Sequence, residues 1–296
     1  MKRIRRAVLF EGIIGILALG ISTAAMAQTG ACTRAGLKRI TEQFLTALVA
    51  HSPASAPLAA NVRYTEDGIV VPVGNGVWET VTKLTFKRGM VDTRKCGTYT
   101  QTILEEKNNP KPVLYGVRLK VDNNRISEIE AIVVRGKQVL DAPAILATKH
   151  QDWEATLPPE QRTSRLAMMA AADDYFRLFV KDKKRQVSDL AFSGFCDRWE
   201  DGLRTTKGGR NKQGVLMPRH HCSPEGFADM ADTHGPRRFL VDTKTGVVAA
   251  FVLFDGKWPD VHMFRMINGR VVWIQAYFEY SKAYKTIGWP VKPLPE

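Results

Sequence analysis

The feature that most constrains this chain is internal repetition: an amphipathic helix pattern, a Glu-Asp-Gly phrase and a hairpin pattern occur twice in the same order. Repetition at about domain length implies two copies of one folding plan rather than one large core. Ala35 to His51 places Leu37, Ile40, Phe44, Leu45 and Leu48 at helical spacing, and Ser164 to Val180 does the same with Leu166, Met169, Tyr175, Phe176 and Phe179. Each helix pattern leads to a phrase, VRYTEDG (62–68) in the first half and CDRWEDG (196–202) in the second. Later come VLYGVRLKVDNNRISEIEAIVV from Val113 and VHMFRMINGRVVWIQAYF from Val261. Each reads as two strands joined by a turn, at Asp122-Asn123-Asn124 and at Asn268-Gly269. On this reading Arg118 lines up with Arg265, Arg125 with Arg270, and Tyr115 with His262, the two hairpin turns differing in length by two residues.

A helix followed by long strands predicts an α+β unit, here a curved antiparallel sheet wrapped around N-terminal helices and enclosing a cavity. Two such cone-shaped units in tandem are expected, at 28–140 and 165–296. A linker at 141–164 is marked by Ala142-Pro143, Trp153 and Leu157-Pro158-Pro159, which interrupt regular structure. The tail from Ile287, with Pro290, Pro293 and Pro295, reads as extended.

Ahead of the repeats, Lys2, Arg3, Arg5 and Arg6 precede an apolar run from Ala7 to Ile21 and then Ala24-Ala25-Met26-Ala27. This is the pattern of a secretory signal peptide, residues 1–27, cleaved after Ala27. As a membrane anchor the run is interrupted by Glu11, Gly12, Gly15 and Gly20. Cleavage removes four of the 43 Lys+Arg and one of the 30 Asp+Glu, leaving 39 and 29, a net charge of +10 on the mature chain. A periplasmic or secreted location follows, with weak contact to an anionic envelope surface and no nucleic-acid partner. The basic residues are scattered, with clusters only at Lys181 to Arg185 and Lys207 to Lys212. In an oxidising compartment four cysteines predict two disulfides with three connectivities. The two-unit organisation selects one bridge in each half, Cys32 with Cys96 and Cys196 with Cys222.

The segments NVRYTEDG, GVWET, KCGTYTQTI, ISEIEAIV, LPPEQRTSR, FCDRWEDG, RRFLVDTKTGVVAAFVLF and DVHMFRMINGRVVWI, taken in order, span nearly the whole mature chain. They resemble a group of secreted fungal and bacterial proteins of largely unassigned activity. That group is similar to the nuclear transport factor 2-like, or SnoaL-like, α+β cone in tandem. The resemblance implies the fold and supports the cysteine pairing. It leaves the reaction open, because such cones host isomerases, dehydratases, cyclases, epoxide hydrolases and binding modules.

Chemistry therefore has to be read from residues. In PDVHMFR (259–265), strand alternation puts Asp260, His262 and Phe264 on one face and Val261, Met263 and Arg265 on the other. A histidine beside a carboxylate exchanges protons near neutral pH, and the carboxylate sets its tautomer. Arg238 shares a face with Leu240 and Asp242, where it pairs with Asp242 or meets an anionic group. Trp199, Trp258, Trp273 and Tyr277, with Tyr115 in the first half, are candidates for an aromatic ligand wall. His220-His221-Cys222 is a poor metal set because adjacent histidines rarely reach one ion and Cys222 is assigned to a disulfide. Lys207-Gly208-Gly209-Arg210 lacks the Gly-Lys-Ser/Thr of a phosphate loop, and no Gly-x-Ser-x-Gly occurs. The Glu-Asp-Gly phrases read as scaffold turns.

The expectation is a cofactor-independent and metal-independent acid/base enzyme of lyase, isomerase or epoxide-hydrolase type, acting on a small ring-containing molecule. His262 would be the acid/base, Asp260 its orienting partner, and Arg238 or Arg265 the stabiliser of negative charge. The alternative is a non-catalytic small-ligand binding protein. Either would be a monomer whose two cones form a pseudo-dimer, or a homodimer.

Overall fold

Thr33 and Ser164 open the two repeats as helix N-caps. Thr33 Oγ1 accepts from Gly36 N at 3.1 Å, and Ser164 Oγ from Ala167 N at 3.3 Å, satisfying N–H groups that have no partner inside the helix. The computed structural model describes residues 32–179, 190–210, 214, 216–223 and 234–288. The predicted signal peptide, the Lys181 to Arg185 cluster, Lys212 and the tail prolines lie outside the described residues.

The helix α1 (Arg34–Val49) buries every apolar residue its periodicity marks. It leads into β1 (Leu58–Glu66), β2 (Ile69–Val70), a short α2 (Val77–Thr80), β3 (Val81–Asp92), β4 (Gly97–Glu106), β5 (Asn109–Asp122) and β6 (Arg125–Val134). After α3 (Ala142–Leu146) and α4 (Arg165–Arg177) the plan repeats as β7 (Phe192–Glu200), β8 (Leu203–Arg204), β9 (Arg238–Asp242), β10 (Val247–Phe254), β11 (Trp258–Ile267) and β12 (Arg270–Phe278). The strand orders are β2-β1-β6-β5-β4-β3 and β8-β7-β12-β11-β10-β9, the same topology twice. The protein is thus α+β, with two six-stranded sheet units.

Two expectations need correction. The sheets are mixed, because β1 pairs in parallel with β6 and β7 with β12. Tight turns force antiparallel pairing within the β3–β6 and β9–β12 meanders and between β1 and β2 and β7 and β8, whereas β1 and β7 reach β6 and β12 through long connections. In and just after α4, Tyr175, Phe176 and Phe179 are buried as their spacing predicts, but in the first turn Leu166 is 72% exposed and Met168 is buried instead.

The hairpin turns have equal length: Asn123-Asn124 and Asn268-Gly269 both have positive φ and join paired residues, Asp122 with Arg125 and Ile267 with Arg270. Working back along the ladders makes Asp92 the counterpart of Asp242, Lys120 of Arg265, Val117 of His262 and Tyr115 of Asp260. The alignment of Tyr115 with His262 and of Arg118 with Arg265 is therefore displaced by two residues. Arg125 and Arg270 do correspond.

Each sheet has two covered faces. One face of the first sheet packs on α1 through Tyr64, Tyr115, Val117 and Leu119, and the corresponding face of the second packs on α4 through Val248, Ala250, Phe264 and Ile274. The other faces meet each other around Met90, Tyr99, Ala249, Phe251, Met263 and Tyr277. Trp153 and Ile145 from the predicted linker are buried in this same cluster, so that segment is part of the core between the sheets. The contact is reciprocal. Arg34 at the start of α1 forms a two-pronged pair with Asp242, and Arg165 at the start of α4 does so with Asp92, at 2.6 and 3.0 Å.

The Glu-Asp-Gly phrases close the parallel strand pairs. Asp67 N donates to Ala131 O and Val133 N to Asp67 Oδ1. In the second unit, Asp201 N donates to Ala276 O and Phe278 N to Asp201 Oδ1. Asp67 and Asp201 both have positive φ, a conformation Asp tolerates. Disulfides join Cys32 to Cys96 and Cys196 to Cys222, which fits an oxidising compartment. No helix among the described residues is long and apolar enough to cross a membrane.

Candidate active site

His262 stands in the middle of β11 between two alanines, Ala250 of β10 and Ala276 of β12, which leave space over the sheet for its ring. Two residues earlier on the same face is Asp260. Its Oδ1 lies 2.8 Å from His262 Nδ1, and the side chains are 3% and 2% exposed. With Nδ1–H donating to the carboxylate, the neutral ring carries its lone pair on Nε2. That Nε2 is buried and has no hydrogen-bond partner among the described residues. Burial raises the Asp260 carboxyl above its ordinary pKa, and His262 opposes the shift.

Above this pair lies α4. Tyr175 and Phe176 place their rings 5.3 and 5.1 Å from the imidazole, and Phe264 stacks beside it at 5.9 Å. Tyr175 Oη accepts from Arg198 Nη1 at 3.0 Å; Arg198 also donates to Cys222 O and to Thr205 Oγ1, and its Nε lies 3.2 Å from Glu200. Burial opposes the Arg198 charge, but Tyr175 and Glu200 outweigh it, so its pKa is raised. Burial likewise raises the Tyr175 hydroxyl, against Arg198. A second histidine, His234, packs on Phe176 and Phe254 at 5.7 and 4.4 Å. Burial and then Arg237 lower its pKa to about 4.

The strand alternation predicted for PDVHMFR holds, and it separates His262 from both predicted arginines. Arg265 points between the sheets, where it donates to the carbonyls of Trp153, Thr245 and Ala155. Arg238 also points there; it crosses to Glu130 of the first unit rather than pairing with Asp242. The arginine on the α4 side is Arg237, whose Nε is 3.1 Å from Asp173 and whose guanidinium lies over Phe176. Neither Arg238 nor Arg265 reaches the His262 face.

The predicted aromatic wall divides in the same way. Trp258 is on the His262 side, stacked on Phe254 at 6.4 Å. Trp273 packs against Trp153 between the sheets, Tyr277 is buried there, and Trp199 lies under Arg204. Tyr115 is buried beneath α1 in the first unit. The rings beside His262 come instead from α4 and β11, residues whose spacing reads only as core. A usable signal was the polar Tyr175 in an otherwise apolar helix face. His220 pairs with Asp197 at 3.1 Å, His221 packs near Phe192, and Cys222 is in its disulfide. No curated protein matches the sequence. Residues 161–278, which hold α4 and the whole second sheet, are similar to the family described as "Domain of unknown function (DUF8021)".

Proposed function

We propose that the second unit is a cofactor-independent acid/base site for a small, ring-containing organic molecule bound between α4 and the sheet. The observation that carries this is the buried His262–Asp260 pair, oriented through Nδ1 and with Nε2 left without a partner among the described residues. In this reading Nε2 takes a proton from the substrate and returns it to the product or leaving group, while Asp260 holds the ring and balances the imidazolium. Tyr175 replaces Arg238 and Arg265 as stabiliser of developing negative charge: its oxygen accepts from Arg198, and its own proton remains to be donated. Elimination and isomerisation can use this set as it stands, and in epoxide opening Nε2 takes its proton from an attacking water while Tyr175 protonates the ring oxygen. The surrounding phenyl rings suit an apolar ring on the substrate.

The wider reading is a tandem cone of the nuclear transport factor 2-like kind, with each sheet wrapped around its helices. It acts in the periplasm or outside the cell after cleavage near Ala27, as a monomer whose two units form a pseudo-dimer. The duplicated topology and the two disulfides support it.

The test is a screen of small cyclic ketones, alcohols and epoxides by ligand-observed NMR over time. The expected result is a compound that wild type binds and converts, that His262→Gln binds without converting, and that Tyr175→Phe converts at least tenfold more slowly. A compound bound but unchanged by wild type makes the protein a carrier. Binding unaffected by substitutions at His262 and Tyr175 moves the site elsewhere.

A further inference from the structure

The reciprocal contact between the sheets is broken at one point. By register, Arg88 of β3 is the counterpart of Arg238 of β9, and Gln275 of β12 is the counterpart of Glu130 of β6. Arg238 Nη2 donates to both oxygens of Glu130 at 2.6 Å. In the mirrored position Arg88 Nη1 donates to the amide oxygen of Gln275, and Nη2 donates to the carbonyl and hydroxyl of Thr148, both at 2.9 Å. One arginine faces a carboxylate and the other an amide.

Arg88 is 4% exposed, sandwiched by Phe86 and Trp153 at 5.2 and 5.1 Å. A buried cation needs a counter-charge, and no carboxylate among the described residues forms an ion pair with it. Glu154, the carboxylate acting on it, is itself paired with Lys38 at 2.7 Å and accepts from Gly89 N. Burial accordingly lowers the Arg88 pKa to about 10.

Buried polar atoms collect at the same spot, on residues at most 1% exposed: the donors Gln275 Nε2 and Tyr277 Oη lack a hydrogen-bond partner among the described residues, and the Tyr99 hydroxyl lies beside the Gln101 amide. They are neighbours. Gln101 is the cross-strand partner of Arg88 and donates to Gln275 O at 3.2 Å. Tyr99 and Tyr277 meet over Gly116, where an added Cβ would lie 2.5 Å from Tyr99 Oη and 3.4 Å from Tyr277 Cδ2. In the other copy the counterparts of Tyr99, Gln101 and Tyr277 are Ala249, Phe251 and Ile132. Hydroxyl and amide groups have thus gathered only on the side where the carboxylate is missing, and buried polar groups need partners.

We propose that this place between the two sheets binds a small monoanion of halide or formate size, with Arg88 as counter-charge and Tyr99, Tyr277 and the Gln275 amide as donors. The anion would stand in for the carboxylate that Glu130 gives to Arg238, tying the two units together. This site is separate from the His262 face, on the opposite side of the second sheet.

Crystals of the mature protein soaked in sodium bromide test it directly. The expected result is an anomalous peak within hydrogen-bond reach of Gln275 Nε2 and Tyr277 Oη, and none beside Arg238. In solution, a bromide titration should raise the melting temperature of wild type by about 3 °C more than that of Gln275→Glu, which supplies the carboxylate internally. Gln275→Glu copies a pair the fold already makes, so it is expected to fold, and Arg88→Met should also lose the bromide response. Water alone at the site, or the same response in wild type and Gln275→Glu, overturns the proposal.

Discussion

The faces beneath α1 and α4 are built alike and filled differently. Equivalent strand positions carry Tyr115 and Val117 in the first unit and Asp260 and His262 in the second. Beneath α1 the tyrosine and valine belong to a hydrophobic cluster with Phe44 and Trp78. Beneath α4 the same two positions hold an acid and a base in contact, with aromatic rings around them. The framework elements have not diverged: N-caps, Glu-Asp-Gly closures and the Arg–Asp pairs between units occur in both. Residues that hold the plan are shared, and the ionisable pair is private to one copy. That contrast argues that Asp260 and His262 are kept for something other than folding, since the first unit folds without them.

The disulfides test how far each unit relies on a covalent staple. Cys32–Cys96 spans 64 residues and Cys196–Cys222 spans 26. In a chain-entropy picture, removing the first by paired Cys→Ser changes lowers stability by ~4 kcal/mol and removing the second by ~3.5 kcal/mol. Urea unfolding with separate probes for each unit should show the larger loss in the first; equal losses in both would mean the units unfold as one.

The dyad gives the next largest effect. Asp260→Leu leaves His262 buried without its partner and is expected to cost ~3 kcal/mol. Changing both, Asp260→Tyr with His262→Val, copies the first unit and should recover most of that loss while abolishing ligand turnover. If the double variant is less stable than the single, the pair is structural, and the contrast between the units loses its functional meaning.

Asp201 is fully buried and Asp67 partly so, and desolvation raises both carboxyls. Burial pushes Asp67 to about 8, and Asp201 is raised well above its ordinary value. The unfolded carboxyls ionise near pH ~4, so between there and the folded pKa the native state holds protons that the unfolded state has released. Stability attributable to Asp67 is therefore greatest below pH ~4 and declines as pH rises toward about 8. Asp67→Asn keeps the acceptor for Val133 N and should flatten this slope in urea titrations between roughly pH 5 and 8. An unchanged slope would place the proton elsewhere.

Much of the architecture was legible because it follows from local rules. Helix periodicity, hairpin turns and the disulfide pairing could be read directly, and strand alternation put Asp260 and His262 on a common face. What was not legible depended on neighbours in space. Arg238 and Arg265 read as site residues because nothing local indicates that a second sheet covers their face. The Val-Asp-Thr repeat at 91–93 and 241–243 would have corrected the register by two residues. It would also have marked Asp92 and Asp242, whose partners come from the opposite unit. Tyr175 and Arg198 were hidden in core and turn patterns, because a helix residue becomes a site residue only through what it packs on.

The corrected register supplies the finest test of the comparison, at Lys120 and Arg265. Both are basic, both sit at the last regular pair before the hairpin bulge, and they do different work. Lys120 pairs with Asp122 near the surface, an interaction worth less than ~0.5 kcal/mol. Arg265 is buried and holds three carbonyls of the connecting segments, which only a guanidinium can span. Arg265→Lys is expected to cost ~1.5 kcal/mol, since at least one carbonyl is left without its donor. Lys120→Arg should change stability by no more than ~0.3 kcal/mol. Equal effects at the two positions would mean that the reciprocal contact, rather than the side chain's surroundings, sets the role of each residue.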